Sequence, residues 1–158
     1  MSDTDSTLRR ILLRDKTVAV VGLSASWHRP SFFAAKYLQH AGYRIVPVNP
    51  RYAGDSILGE RAYASVEEIP FKVDLVDIFR RAEDVPPIAA SAVNIGARTV
   101  WQQLGVANEE ADRAVRAAGL DSVMDRCMKI EHGRLFGGLH WAGVNTGVLS
   151  ATRRGAET

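Results

Sequence analysis

The residues best suited to chemistry stand in short stretches between apolar runs. The first is Gly22-Leu23-Ser24-Ala25-Ser26-Trp27-His28-Arg29-Pro30-Ser31, which leads into a segment with helical spacing. A helix start carries backbone N–H groups without intrahelical partners, and these attract anions. The hydroxyls of Ser24, Ser26 and Ser31 and the guanidinium of Arg29 would strengthen such a site. The plainer assignment makes Ser31 a helix cap and Arg29 a solvated loop residue. A second stretch, Val48-Asn49-Pro50-Arg51, offers an amide and a cation. A third holds Cys127 with Glu131 and His132 close behind, so a Cys/His nucleophilic pair can be written down. Against it, free cysteine is among the most buried residue types, and a packing or pocket-lining thiol is the expected role. No catalytic set is assigned. The four histidines His28, His40, His132 and His140, with one cysteine, show no metal-ligand spacing.

The anion at the first loop is not an ordinary dinucleotide pyrophosphate. The G-x-G-x-x-G fingerprint needs three glycines and an acidic residue about 20 positions later to hold the ribose. Only Gly22 is in place, and the second apolar run ends in Asn49-Pro50-Arg51, without Asp or Glu. NAD is therefore disfavoured. A ligand with a phosphorylated ribose fits better, since Asn49 and Arg51 could receive that phosphate. NADP and coenzyme A both carry such a group, and these residues alone do not choose between them.

The elements that must position these stretches alternate. Thr7 to Arg14 has the spacing of a short amphipathic helix. Lys16 to Gly22 is a continuous apolar run closed by glycine, as in a parallel strand buried on both faces. Helical spacing follows over Ser31 to Ala41, stopped by Gly42, and then a strand over Arg44 to Val48. Pro47 suits an edge position in that strand. Asn49 to Gly59 reads as irregular, with a short helical turn around Ser65 to Glu68. A third strand is predicted over Asp74 to Phe79. Asp84 should cap a helix over Val85 to Ile95, with Pro86 and Pro87 tolerated in its first turn. A fourth strand spans Arg98 to Leu104, Asn108 caps a helix over Glu109 to Ala118, and a fifth strand spans Asp121 to Met124. Five strands separated by helices predict a Rossmann-like, doubly wound α/β domain with a mainly parallel sheet and helices on both faces. Ligands in such sheets lie beyond the C-terminal strand ends, at the switch in strand order. Trp101 and Gln102 are expected to be core and strand-end structure.

Several of these stretches together carry a family resemblance: Val21-Gly22-Leu23-Ser24, Arg29-Pro30-Ser31, Pro47-Val48-Asn49-Pro50, Phe79-Arg80, Trp101-Gln102-Gln103-Leu104-Gly105 and Asp125-Arg126-Cys127. In this order they resemble the small bacterial CoA-binding domain proteins. Those are single-domain relatives of the CoA-binding part of the succinyl-CoA synthetase α subunit. The resemblance runs from about Leu8 to Leu135. It implies a Rossmann-like sheet that binds coenzyme A or an acyl-CoA as a carrier, sensor or accessory module without established catalysis. It also implies that Gly22, Ser24 and the Arg29-Pro30-Ser31 helix start surround the pyrophosphate. Asn49, Pro50 and Arg51 would face the 3′-phosphate and adenine, Tyr63 would pack near the nucleotide, and the pantetheine arm would pass Phe79 and Arg80. Cys127 would neighbour the ligand's thiol. The synthetase domain has a lysine and an extra glycine in its second-strand loop where this chain has Arg51-Tyr52-Ala53-Gly54. The alternative reading is an NADP-binding reductase or a CoA-thiol transferase using Cys127.

Composition sets the outer limits. The 158 residues are 46% hydrophobic and 24% charged, enough for one domain with a real core. A formal charge of +2 is far from the concentrated basicity of a nucleic-acid binder. Of 20 basic residues, 16 are arginine. A GC-rich genome explains that bias, and so does phosphate binding by planar guanidinium groups. No apolar run reaches the roughly 18–20 residues of a membrane span. The polar start, Met1 to Arg10, predicts no signal peptide. A single cysteine precludes an intramolecular disulfide, and a reduced, cytoplasmic protein is expected. Residues 136–158 are expected to extend the 8–135 core, with the apolar stretch Phe136 to Leu149 packing back on it or forming a homodimer contact. An acyl-CoA enzyme is the other partner the sequence leaves open.

Overall fold

The computed structural model describes residues 3–137, and the apolar runs of the sequence are the strands of its sheet. In chain order the elements are α1 (Asp3–Arg14), β1 (Thr17–Val21), α2 (Pro30–His40), β2 (Arg44–Val48), β3 (Ser56–Ile57), β4 (Glu60–Arg61), β5 (Leu75–Ile78), α3 (Val85–Asn94), β6 (Thr99–Gln102), α4 (Glu109–Ala117), β7 (Asp121–Val123) and α5 (Met128–Phe136). The main sheet has the order β2-β1-β5-β6-β7, and every pair in it is parallel. The fold is the Rossmann-like α/β sheet that the alternation predicts.

Strand residues alternate between two apolar cores. Ala19, Val21, Val76, Ile78 and Val100 face α3 and α4, which contribute Val85, Ala89, Ala92, Ala111 and Val115. Val18, Val20, Leu75 and Trp101 face the other way, against Leu8, Ile11 and Leu12 of α1, Leu38 of α2 and Met128 of α5. Burial on both faces is why the strands read as unbroken apolar runs. Trp101 and Gln102 are indeed structural. The Trp101 indole N–H donates to the Arg126 carbonyl at 2.8 Å. The Gln102 amide clamps the backbone of Asn108 through both its oxygen and its nitrogen.

Pro47 lies on an edge strand. The Arg44 N–H donates to Lys16 and the Val48 carbonyl accepts from Gly22, so alternate residues of β2 turn toward β1. Pro47 turns outward, where its missing N–H breaks no ladder bond and its carbonyl accepts from Tyr63. The chain that returns to this edge contains the two-stranded β3–β4 hairpin, within and just beyond the segment expected to be irregular.

Helix starts divide according to their chemistry. The Asn108 side chain accepts from Ala111 N–H at 2.9 Å and caps α4 as expected. Asp84 occupies the cap position of α3 but makes no side-chain cap bond. Its carboxylate turns to Arg81 at 3.3 Å instead. Helix α2 starts one residue earlier than expected, with Arg29 at the cap position and Pro30 first in the helix, so Ser31 is not the cap. Helix α5 was not expected, and it closes the face formed by α1 and α2. Among the described residues no helix is long and apolar enough to cross a membrane. The expected packing of Phe136 to Leu149 falls, beyond residue 137, outside the described residues.

Candidate functional site

The chain runs from β1 outward to β2, then returns to the other side of β1 for β5, β6 and β7. The switch in strand order therefore lies between β1 and β5, where ligands of such sheets bind. Gly22 follows β1 there with a φ of +92°, a conformation L side chains rarely adopt. A Cβ at this position would run into the Phe79 carbonyl oxygen and meet the Arg80 side chain at 3.1 Å. Glycine is what lets the β1 and β5 ends converge.

The loop beyond Gly22 is folded by its own hydroxyls. The Ser24 N–H donates to Ser31 Oγ at 3.1 Å, and the Ser26 N–H donates to Ser24 Oγ at 3.0 Å. Each hydroxyl keeps its proton for another acceptor. No side chain caps the α2 start, and Arg29 is exposed beside it. Asn49 joins this loop to the next. Its Nδ2 donates to the Leu23 carbonyl at 3.2 Å, and its Oδ1 accepts from Arg51 N–H at 3.0 Å. Asn49 is thus a positioning residue for both loops. Arg51 is exposed, with its guanidinium 5.6 Å from the centre of the Tyr52 ring.

Two clefts open on either side of Arg80. The first, about 340 Å³, has an apolar floor of Val21, Val48, Val66 and Ile88, with Pro50 at one side. Its rim carries Arg80 and the carboxylates of Glu67, Glu83 and Asp84. Such a cleft suits a planar aromatic base whose amino or hydroxyl groups donate to carboxylates. The carboxylates repel phosphate, which leaves Arg80 as the rim group that suits one. The second cleft, about 420 Å³, is lined by Phe79, Arg80, Arg81, Asp84, Gln103, Leu104 and Val106. Only Arg80 and Asp84 belong to both.

Of the residues singled out in the sequence, Pro50 and Arg80 line the first cleft, Phe79 and Arg80 the second, and Gly22 lies under Arg80. Tyr63 is half-buried and pairs with Val48, bringing the following residues, Ala64 to Glu67, into the first cleft. Neither that segment nor Pro87–Ser91 of α3 was expected at the site, because the first follows the β3–β4 hairpin and the second lies inside a helix. Ser24, Arg29, Ser31 and Arg51 line neither cleft.

Cys127 stands half-buried at the cap position of α5, past the outermost strand β7. It lines neither cleft, and the nucleophilic pair is not formed. His132 instead shares a 3.0 Å hydrogen bond with the Tyr37 hydroxyl, and burial pushes its pKa down to about 4. Glu131 is held by Arg126 and Arg134.

Residues 16–133 match the family model described as a CoA binding domain. The uncharacterized protein YneT of Bacillus subtilis is 41% identical over 125 residues, covering 79% of this chain and 91% of that protein. An ADP-forming acetate–CoA ligase of Archaeoglobus fulgidus is 36% identical over 89 residues, which are 55% of this chain but 13% of the ligase. Among solved structures, a Thermus thermophilus protein superposes with a TM-score of 0.81 at 37% identity, covering 86% of this chain and all of that one.

Proposed function

Because the chain belongs to the CoA-binding domain family, we propose that it binds coenzyme A or an acyl-CoA across the C-terminal edge of its sheet, as a carrier, sensor or accessory module. The observation that carries this reading is the cleft beside Arg80. Its apolar floor and the carboxylates on its rim suit adenine and ribose, and Arg80 on the same rim suits a phosphate. In this reading adenine rests against Pro50 and the Val48 end of β2. The pyrophosphate meets the Ser24 loop, the start of α2 and Arg80, whose charge-assisted contacts are stronger than neutral ones. Arg51 takes the 3′-phosphate, and the pantetheine arm leaves past Phe79 into the second cleft. The NADP alternative has to place a second nucleoside with the same single glycine and no acidic residue after β2.

The protein is therefore a binding module in our reading, with its domain over residues 16–133. Native mass spectrometry of the purified protein tests this directly. A retained mass of CoA or an acyl-CoA is expected, and a retained NADP would overturn the reading.

In the same reading Cys127 is a neighbour of the ligand thiol and not a nucleophile in turnover. It lies three strand steps from β1, roughly 14 Å at about 4.8 Å per step, so an extended arm must cross β5 and β6 to approach it. Under reducing conditions Cys127→Ser should leave CoA affinity nearly unchanged. With CoA disulfide, the Cys127 thiolate attacks one sulfur, forms a mixed disulfide and releases one CoA thiol. Because binding holds the two sulfurs together, this adduct should form much faster than with glutathione disulfide, and reductant should remove it. Equal rates with the two disulfides would place Cys127 away from the thiol end. Turnover of an acyl-CoA that vanishes in Cys127→Ser would make the protein an enzyme instead.

A further inference from the structure

Strand β5 carries an acid that the ligand site does not use. Asp77 lies between Val76 and Ile78, which face α3 and α4, so its side chain points with Leu75 to the opposite core. Its partners across the sheet are Val20 and Trp101, both fully buried. Asp77 itself is fully buried, and neither carboxyl oxygen has a hydrogen-bond partner. Of the charged and titratable groups on the elements that cover this face, Arg9 of α1 donates to the Leu135 carbonyl and lies over the Phe136 ring, with its Nε buried and unpartnered, and Lys16 lies over the Tyr43 ring. Asp15, after α1, is held by Arg14 and Thr99, and the Tyr43 hydroxyl donates to the Leu12 carbonyl. Tyr37 of α2 is bonded to His132 of α5, and Glu131 is held by arginines. An ionised carboxylate here would be uncompensated, and such a group takes up a proton instead.

We propose that Asp77 is a pH-sensitive lock: protonated, it lets the α1, α2 and α5 layer close on the sheet, and ionised, it works against that closure. Burial alone pushes its pKa up to about 8, against about 3.9 in an unfolded chain. Between those values the folded protein holds one proton more than the unfolded chain. Stability from this group is therefore complete below the lower value and lost as pH rises toward the upper one. His132 runs the opposite way. Its folded pKa of about 4 means that unfolding takes up a proton at any pH between there and about 6.5. The two slopes oppose each other below about 6.5, and of the two only that of Asp77 continues from about 6.5 to 8.

The experiment is equilibrium urea unfolding of the full chain at a series of pH values. In the wild type the unfolding constant should rise about tenfold per pH unit between about 6.5 and 8. In Asp77→Asn, which keeps the shape without the titration, that rise should disappear. A rise that persists in the variant would overturn the proposal. Should Asp77→Asn fail to fold, the carbon-13 shift of the Asp77 carboxyl in the wild type decides. Titration near pH 8 supports the lock, and titration near 4 overturns it.

Discussion

Replacing Gly22 with alanine is expected to destabilise the domain by about 2–5 kcal/mol and to abolish ligand binding at the sheet edge. Two effects add. Alanine at a φ of +92° is strained, and its methyl group meets the Phe79 carbonyl oxygen, which is backbone and cannot rotate away. Relief would need the β1 and β5 ends to separate, opening the place where Gly22 and the Arg80 side chain meet. Gly96→Ala is the control, since its φ is +75° but nothing lies within 4 Å of an added Cβ. It should cost about 1 kcal/mol, the backbone contribution alone. Urea midpoints with unchanged slopes would report both values. Equal losses at the two positions would mean that the contact with Phe79 is not a constraint.

Arg51→Ala should weaken CoA about ten- to a hundredfold and dephospho-CoA far less. A charge-assisted contact contributes roughly 1.5–3 kcal/mol, and every 1.4 kcal/mol is tenfold in affinity. Arg51 suits that contact because it is exposed, ends the β2 loop and forms no ion pair with a described residue. Its removal should therefore leave stability unchanged, which separates a binding effect from a folding one. Arg80→Ala, at the junction of both clefts, should weaken CoA and dephospho-CoA alike. Equal losses for the two ligands in Arg51→Ala would move the 3′-phosphate to Arg29 or Arg80.

Most of the fold could be read because its signals are local. Val18 to Val21 is apolar throughout since both faces are covered, Pro47 marks an edge, and Asn108 is a cap that the structure uses. What escaped reading depends on contacts distant in sequence. The β3–β4 hairpin has only two residues on each side of Leu58-Gly59, both at positive φ. Such a turn normally carries Asn-Gly, and leucine at its first position conceals it. Helix α5 contains Gly133 and starts after Cys127, which is no capping residue. It is held by Met128 in the core and by the ion pairs of its Glu131 with Arg126 and of its Arg134 with Asp5 of α1.

The candidate site divides in the same way. Gly22, Asn49 and Arg80 were legible because each follows a strand of the parallel sheet. Asn49 proved to tie two loops together, a role that only its backbone partners reveal. The floor of the first cleft was not legible, because Val66 and Ile88 come from segments that reach the site through the Val48–Tyr63 pairing and the packing of α3. Asp77 was passed over for a related reason. A single acid in a short strand looks solvent-facing until the helices covering it are known.

The edge between β1 and β5 is expected to hold coenzyme A in preference to a dinucleotide. Calorimetric titration of the purified, ligand-free protein with CoA and, separately, with NADP measures it directly. The account predicts saturable binding of CoA with one site per chain and no comparable binding of NADP. NADP binding more tightly than CoA would contradict it.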